Sequence, residues 1–360
     1  MRILYLTDRL SGRGGADLHL MDVARQASQE ASVTVASGRG ALASEGIRFA
    51  RVKGLGAAVE GGGLGRLPAL LDAADVVHVQ NVMNPAALRM ARDTGRAVVT
   101  IQDHRVFCPG PGKTLPSGRA CEAEMSAAAC GACFDDPAYA TRTLALTAAR
   151  RDAIEGARLV VLSAYMADEL ARVGLPGATV IPPWVDTGPP AAVGEGFVMG
   201  GRLVAHKAPL DAVAAWRLAG APGALSVAGV GALEGALTET PGVIALGWLS
   251  REALRGVLRG ARALLFPGRW QEPFGILGVE ALAEGTPVIA ARVGGVPEWA
   301  SAGCLVVPPG DTQAMAAAVR RLQAAPGEAL ALGRAGRAAV RARYDEASLW
   351  PLLRSVYDAV

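Results

Sequence analysis

The stretch "EPFGILGVEALAEGTPVIAARVGG" (residues 272–295) sets two carboxylates among apolar residues and ends in a glycine pair. Pro273 disfavours helical backbone at Glu272, which predicts that this carboxylate lies in a turn before a helix. The helix is expected to cover residues 274–284, and a glycine stops it before the strand "PVIAAR" (287–292). A turn, a buried helix and a short apolar strand in this order are typical of α/β proteins.

The start of this predicted helix is a candidate anion-binding site. The backbone N–H groups of Gly275, Ile276 and Leu277 are the unpaired donors of its first turn, where the helix dipole favours negative charge. Glu280 lies farther along the helix, either solvated on a surface helix or buried with a function. Apolar neighbours on several faces favour the buried carboxylate, which needs a partner because burying an unpaired charge is costly.

Short β-branched runs alternate along the chain with Ala, Leu and Arg stretches of helical spacing, which predicts parallel sheets built from βαβ units. In the first half the predicted strands cover residues 2–7, 32–37, 75–80, 97–103, 158–163 and 179–183. In the second half they cover residues 197–202, 224–230, 243–248, 263–268, 287–292 and 305–309. The Pro- and Gly-rich stretch "DTGPPAAVGEG" (186–196) is a predicted linker. Two doubly wound α/β domains are therefore expected to face a cleft at the carboxyl ends of their strands.

The bulk properties agree with this organisation, since 360 residues suit two domains of ordinary size. Lys and Arg total 36 and Asp and Glu total 33, and this small excess of +3 argues against a nucleic-acid-binding protein. The amino terminus "MRILYLTDRL" (1–10) has no signal-peptide cleavage site, and no run of about 18 apolar residues is long enough to span a bilayer. We therefore expect a cytoplasmic protein without a transmembrane segment, in which thiols stay reduced.

A pair of cations follows the first predicted strand of the second domain, in "GGRLVAHKAP" (200–209). Arg202 and Lys207 could hold a diphosphate there and neutralise charge as it departs, although cations in loops are usually solvated. Lys207 carries more weight because Lys53 and Lys113 are the only other lysines in the chain.

Four cysteines lie within a Gly- and Pro-rich segment, 104–136, that has little helix or strand pattern. Cys108, Cys121, Cys130 and Cys133 form the spacing C-x(12)-C-x(8)-C-x(2)-C. Four thiolates in this pattern suit a tetrahedral structural zinc that braces a loop without a core of its own. An iron–sulfur cluster, two disulfides and unmodified thiols are the alternatives, and a reducing compartment disfavours the disulfides.

Four motifs together resemble glycosyltransferase family 4, the retaining, metal-independent enzymes with the GT-B fold. "FPGRWQEPFGILGVEALAEGTPVIAARVGGVPE" (266–298) closely resembles the E-x(7)-E segment of that family, and "GRLVAHK" (201–207) resembles its G-R-L-x-x-x-K diphosphate clamp. "GCLVVPPGDTQAMAAAV" (303–319) resembles the next turn of the family, and "SGRGGADLHL" (11–20) resembles its glycine-pair loop. The likeness covers nearly the whole chain and is stronger in the second domain.

The resemblance implies a nucleotide diphosphate sugar as donor, with UDP favoured over GDP, and no catalytic metal. Arg202 and Lys207 would grip the diphosphate, Glu280 would accept hydrogen bonds from the ribose hydroxyls, and Glu272 would face the sugar. Main-chain groups of eight residues would contact the same donor: Phe274, Gly275, Ile276 and Leu277 at the sugar and phosphate, Trp248 and Leu249 at the base, and Gly14 and Gly15 at the phosphate.

The resemblance also implies a hexosyl- or pentosyl-transferase of glycan or natural-product biosynthesis that retains the anomeric configuration through front-face substitution. The acceptor would be a small molecule or glycan bound mainly by residues 1–187, and residues 188–342 would bind the donor. Residues 343–360 would form a helix that crosses back to the first domain. A monomer or homodimer with peripheral membrane contact fits this class.

One departure from the family pattern affects the sugar side of the site. The family often has T-L-H-D-Y-W-F-L-C-P where this chain has "TIQDHRVFCP" (100–109), so Gln102 replaces a histidine that touches the donor sugar. His104 either substitutes for that histidine or is structural. The departure suggests one rival, a non-catalytic nucleotide-sugar-binding protein. A second rival is a GT-B enzyme that couples a non-hydroxyl or cyclitol acceptor.

Overall fold

A computed structural model describes residues 1–56, 62–82, 84–189 and 194–360 of the chain. The chain folds as two compact units. The first unit comprises Met1–Lys113, Glu122–Pro183 and Ala347–Val360, and the second comprises Thr114–Cys121 and Trp184–Glu346. The predicted linker, 186–196, lies partly outside the described residues.

The first unit is built on a seven-stranded parallel sheet with the order β3-β2-β1-β4-β5-β6-β7. Its strands are β1 (Arg2–Thr7), β2 (Ser32–Ser37), β3 (Ile47–Arg51), β4 (Val76–Gln80), β5 (Ala97–Ile101), β6 (Arg158–Val161) and β7 (Thr179–Val180). All but β3 were predicted. The sequence of β3, "IRFAR", lacks a continuous apolar run because this strand lies at the sheet edge and exposes both of its arginines.

Helices cover the sheet of the first unit. They are α1 (Gly15–Ser28), α2 (Leu67–Asp72), α3 (Pro85–Arg92), α4 (Ala127–Cys130), α5 (Pro137–Ile154) and α6 (Ala164–Arg172). Side chains placed before them stabilise their first turns: Asn84 accepts a hydrogen bond from the N–H of Ala86 at 2.9 Å, and Asp136 accepts one from Ala138 at 2.8 Å.

The second unit is built on a six-stranded parallel sheet with the order β10-β9-β8-β11-β12-β13. Its strands are β8 (Phe197–Gly200), β9 (Leu225–Ala228), β10 (Val243–Gly247), β11 (Ala263–Phe266), β12 (Val288–Ala291) and β13 (Cys304–Val307). Its helices are α7 (Pro209–Leu218), α8 (Glu234–Thr238), α9 (Arg251–Arg259), α10 (Ile276–Ala283), α11 (Val296–Trp299), α12 (Thr312–Ala324) and α13 (Pro326–Arg343). The prediction of two doubly wound parallel-sheet units is confirmed.

The last helix, α14 (Glu346–Asp358), crosses back to the first unit, where it packs from Ala347 onward. The hydroxyl of Tyr357 lies 3.1 Å from the hydroxyl of Tyr5 on β1 and 2.6 Å from Nδ1 of His78 on β4. His78 is fully buried, and burial lowers its pKa to about 3, so its imidazole is neutral at pH 7. A buried chain of hydrogen bonds thus joins the carboxyl terminus to the first sheet.

No helix among the described residues is long and apolar enough to cross a membrane.

Candidate functional site

Each sheet reverses its strand order once, between β1 and β4 in the first unit and between β8 and β11 in the second. Open α/β sheets bind ligands beyond the carboxyl ends of the strands at this switch point. In the second unit the loops after β8 and β11 are those that carry Arg202, Lys207 and Glu272. Topology therefore brings together the residues that the sequence singled out in two separate segments.

Glu272 and Lys207 form a buried ion pair between these two loops. The Nζ atom of Lys207 donates a hydrogen bond to Oε1 of Glu272, and it also lies 4.5 Å from the centroid of the Trp270 ring. The Glu272 side chain is only 6% exposed and that of Lys207 is 21% exposed. A carboxylate at this depth needs a cationic partner, which explains why Glu272 lies among residues that otherwise form a core.

His206 ties the two loops together through its main chain. Its carbonyl oxygen accepts hydrogen bonds from the N–H groups of Arg269 at 3.0 Å and Trp270 at 3.3 Å. Burial, together with the positive charges of Lys207 and Arg202, lowers the pKa of His206 to about 4. The imidazole is therefore neutral at pH 7, and the positive charge of the loop resides on Lys207 and on the exposed Arg202.

The helix after Glu272 begins at Ile276, two residues later than predicted, and ends at Ala283 rather than Glu284. Phe274 is excluded from it because its carbonyl oxygen accepts a hydrogen bond from Nε1 of Trp299 at 2.6 Å. Gly275 has φ +90°, a backbone angle that favours glycine, and it turns the chain into the helix. The first-turn amides of Ile276 and Leu277 consequently lie at the switch point.

Trp299 also explains a second glycine in this helix. A Cβ atom on Gly278 would lie 2.1 Å from the Trp299 ring. Only glycine lets α10 approach the indole this closely. Trp299 therefore contacts the chain just before the helix, at Phe274, and in its first turn, at Gly278.

The glycine pair that closes the motif holds the main chain of Glu272. A Cβ atom on Gly294 would lie 2.2 Å from the carbonyl oxygen of Glu272, and the N–H of Gly295 donates to that oxygen at 2.8 Å. Oε1 of Gln271 accepts from the N–H of Gly294 at 2.8 Å. The N–H of Gln271 in turn donates to the hydroxyl of Thr114 at 3.2 Å, a contact that no sequence pattern predicted.

Glu280 has a partner that sequence reasoning missed. Nε of Arg251, the first residue of α9, donates to Oε1 of Glu280 at 2.8 Å, and the Glu280 side chain is 11% exposed. The alternative of a solvated Glu280 is therefore wrong. Arg251 comes from a different helix, so the apolar pattern of α10 could indicate that a partner was needed but not which residue supplies it.

Trp248 and Leu249, predicted to hold a base, follow β10 and are half-buried. The carbonyl oxygen of Gly247 accepts a hydrogen bond from the N–H of Gly229 at 2.7 Å, which joins the ends of β9 and β10 just before them. They therefore lie at the carboxyl edge of the same sheet as the Lys207–Glu272 pair.

In the first unit, the predicted glycine pair starts α1. Gly14 has φ +134°, a conformation that favours glycine, and Gly15 is the first residue of the helix. Asp17 in the first turn accepts hydrogen bonds from the N–H of Ser11 at 2.8 Å and from its hydroxyl at 2.7 Å, which fixes the loop after β1.

Gln102 follows β5 and takes part in a buried polar network. Its Nε2 atom lies 2.7 Å from Nδ1 of His19, and its Oε1 atom accepts a hydrogen bond from Nδ2 of Asn81 at 2.9 Å. His104 is 2% exposed, with Nε2 at 3.1 Å from the hydroxyl of Tyr165. The involvement of His19 and Asn81 was missed because they follow different strands.

The four cysteines do not form the predicted metal site. Among the described residues no group of three or more His, Cys, Asp or Glu side chains is arranged to hold a metal ion, and no cysteine is in a disulfide. Cys108 accepts a hydrogen bond from the N–H of Lys113 at 3.3 Å, whereas Cys121 falls in a segment of the second unit. Cys108 and Cys133 both lie beside Gly110, where a Cβ atom would be 4.0 Å from the Sγ of Cys108 and 3.6 Å from that of Cys133, but the structure supports neither the predicted zinc nor the two-disulfide alternative.

The chain is similar to known glycosyltransferases in sequence and in fold. Residues 195–325 match the family model of glycosyl transferases group 1. Glycogen synthase of Mycobacterium tuberculosis (strain CDC 1551 / Oshkosh) is 31% identical over 232 residues, which cover 57% of this chain and 55% of that protein. The chain thus spans about half the length of the curated relatives it matches.

Two solved structures share the fold over the full length of both chains. HepE of Anabaena in complex with UDP and glucose superposes with a TM-score of 0.73 at 18% identity. Sucrose-phosphate synthase from Thermosynechococcus elongatus superposes with a TM-score of 0.74 at 20% identity. Residues 195–325 are therefore similar to glycosyl transferases group 1, and the chain as a whole has the GT-B fold, as the sequence resemblance predicted.

Proposed function

We propose that this protein is a retaining glycosyltransferase that moves a sugar from a UDP-sugar to an acceptor bound mainly by the first unit. The observation that carries the proposal is the buried Lys207–Glu272 pair at the switch point of the second unit, beside the first turn of α10. A site built from a buried cation, a buried carboxylate and helix amides suits a ligand that is part anion and part polyol.

The diphosphate would bind between Lys207, Arg202 and the amides of Gly275, Ile276 and Leu277. Trp270 and Glu272 hold Lys207 in place before any ligand arrives, which reduces the entropy lost on binding. Arg202 is exposed and adds the second positive charge that a diphosphate requires. Both cations would stabilise the negative charge that develops as the diphosphate leaves.

The nucleoside and sugar would be positioned by two carboxylates. Glu280, oriented by Arg251, would accept hydrogen bonds from the ribose hydroxyls, since a carboxylate is an acceptor only. Glu272 and the amide of Phe274 would contact the sugar, and main-chain groups at Trp248 and Leu249 would hold the base.

The chemistry would proceed on one face of the sugar. The bond between the anomeric carbon and the diphosphate oxygen breaks, the acceptor oxygen bonds to the same carbon from the same side, and the acceptor proton passes to the leaving phosphate. The transition state resembles an oxocarbenium ion, so stabilising the leaving group lowers the barrier more than a strong base would.

In the first unit, Gly14, Gly15 and Gln102 lie at the carboxyl edge of the sheet, where ligands of open α/β sheets bind. We assign Gly14 and Gly15 to the donor phosphate and Gln102 to the sugar, with His104 as a residue that supports this edge. The choice of UDP is supported by HepE, whose structures are described as complexes with UDP, with UDP and glucose, and with UDP-glucose.

A panel of nucleotide sugars tests the proposal. A true donor should raise the melting temperature by mass action, and the same compound should release UDP when acceptors are supplied. The anomeric configuration of the product distinguishes retention from inversion, and its mass reveals a non-hydroxyl or cyclitol acceptor. Binding of a UDP-sugar without turnover on any acceptor would instead support a non-catalytic nucleotide-sugar-binding protein, the rival that Gln102 suggests.

A further inference from the structure

The first unit carries a set of exposed cations at the carboxyl ends of β1, β2 and β3. We call Arg9, Arg13, Arg39, Arg51 and Lys53 the basic edge. Arg9 and Arg13 follow β1, Arg39 follows β2, and Arg51 and Lys53 lie at the end of β3. All five are exposed, and within the described part of the chain none of them forms an ion pair.

Close packing of the main chain brings these loops together. A Cβ atom on Gly38 would lie 2.4 Å from the carbonyl oxygen of Asp8 and 2.7 Å from the nitrogen of Gly56, so the ends of all three strands meet at this glycine. The N–H of Leu10 donates to the carbonyl oxygen of Arg39 at 2.8 Å. Because neighbouring strands are about 4.8 Å apart, three strand ends place the cations along roughly 10 Å of sheet edge.

The acidic residues of the same loops are engaged elsewhere. Asp8 has a side chain only 13% exposed, 3.8 Å from the Arg105 guanidinium, and Asp17 is 4% exposed and accepts two hydrogen bonds from Ser11. Glu45 is exposed but precedes Gly46, which lies beside Ser28 at the end of α1 and therefore at the opposite edge of the sheet. Asp8 interacts electrostatically with Arg9, and among the described residues no ion pair compensates the other four cations of the basic edge.

This local excess contrasts with the balance of the whole chain, whose net charge is +3. Five like charges along one edge repel each other, and an anion that binds among them removes the repulsion and gains charge-assisted hydrogen bonds. The planar fork of arginine matches the oxygens of phosphate, and four of the five cations are arginines.

We propose that the basic edge binds the phosphate groups of an anionic ligand other than the diphosphate held by Lys207 and Arg202 in the second unit. The acceptor of the transfer reaction is the natural occupant, and that part of the inference rests on the proposed function; anion binding itself does not. Phosphate of this kind is presented either by a soluble phosphorylated sugar or by the headgroups of a lipid surface.

Two probes, each tested with the full chain, distinguish a soluble phosphorylated sugar from a lipid surface. Fructose 1,6-bisphosphate is titrated by calorimetry, and vesicles of phosphatidylglycerol in phosphatidylcholine are tested by cosedimentation, with pure phosphatidylcholine as the uncharged reference. The triple variant Arg9→Ala, Arg13→Ala, Arg39→Ala should bind the effective probe at least about tenfold more weakly. The triple Arg→Lys variant keeps the charges and should retain most of the binding, which shows that the loops still fold.

A matched control removes the same charge from another place. Arg217, Arg334 and Arg341 are exposed residues of α7 and α13, and their triple alanine variant should bind as the wild type does. Lys207→Ala should also leave this binding unchanged, which distinguishes the basic edge from the donor site.

Loss of bisphosphate binding, of vesicle binding or of both in the basic-edge variant supports the proposal and identifies the source of the phosphate. The proposal is overturned if the wild type binds neither probe, if the basic-edge variant binds as tightly as the wild type, or if the control triple variant loses as much. None of these results depends on detecting sugar transfer, so the proposed function can fail while the basic edge stands.

Discussion

The two units satisfy the charges at the carboxyl edges of their sheets in different ways. In the second unit Lys207 is paired with Glu272 and Arg251 with Glu280, and both carboxylates are largely buried. In the first unit the five cations of the basic edge are exposed, and among the described residues none of them forms an ion pair. The charges of the second edge are therefore paired within the protein, whereas the first edge has an excess of exposed positive charge.

Substitution of Lys207 or Arg202 should have the largest effect, because both cations would hold the diphosphate in the second unit. Lys207→Ala and Arg202→Ala should each lower turnover by at least about a hundredfold, because the departing diphosphate loses a cation. Arg217→Ala removes an exposed cation from α7 of the same unit and should leave turnover unchanged. The rate of UDP release at saturating donor measures the effect, and near-normal rates in both site variants would contradict this role.

The packing of α10 in the second unit can be disturbed by a substitution that changes no charge. Gly278→Ala would place a methyl group 2.1 Å from the Trp299 ring, so either the helix or the indole must shift. Overpacking of this kind should lower the free energy of unfolding by about 1–3 kcal/mol. Urea denaturation measures this change.

Gly256→Ala is the matched control in α9, because nothing lies within 4 Å of a Cβ atom there. Alanine is favoured over glycine inside a helix, so this variant should be as stable as the wild type or more stable by up to about 1 kcal/mol. Equal stability of the two variants would show that α10 yields easily to the added methyl group.

Glu280→Gln tests the second pair of the same edge. The substitution keeps the shape but weakens the hydrogen bonds offered to ribose hydroxyls, so UDP should bind about tenfold more weakly, while turnover at saturation changes less. Glu252→Gln alters an exposed acid on α9 and should leave the dissociation constant of UDP unchanged. If calorimetry finds the same affinity in both variants, Glu280 has a structural role with Arg251 only.

The sequence could predict the residues of the second unit that lie in one continuous segment, but not the pairs formed between distant segments. Glu272, Glu280 and the glycines around them were found because one continuous segment carries a turn, a helix and a strand, each with its own local pattern. The Lys207–Glu272 pair was not predicted as a pair, since its members are 65 positions apart and only the sheet order joins their loops.

Partners that come from distant segments left no local signal. Arg251 begins a separate helix, and Thr114 lies 157 positions before Gln271. The spacing of the four cysteines predicted a zinc site that the structure does not support among the described residues. β3 was missed because an edge strand needs only one buried face and its two arginines interrupt the apolar run.

A pH-dependent effect on stability is expected for two neutral histidines, one in each unit. Burial lowers the pKa of His78 to about 3 in the folded protein, whereas the pKa of a histidine in an unfolded chain is about 6.5. Between these values the unfolded state binds a proton that the folded state does not, so stability falls as the pH drops from about 6.5 towards 3. The glutamine of His78→Gln does not titrate. The free energy of unfolding of this variant should therefore decline less than that of the wild type between pH 7 and about pH 4.

His206, whose pKa is lowered to about 4, should give a weaker dependence in the corresponding Gln variant, because it is less buried than His78. Urea denaturation at a series of pH values measures both variants against the wild type. Parallel pH profiles for wild type and His78→Gln would mean that His78 becomes protonated inside the folded sheet. The 2.6 Å hydrogen bond between Nδ1 of His78 and the hydroxyl of Tyr357 would then have to accommodate an imidazolium, which can only donate.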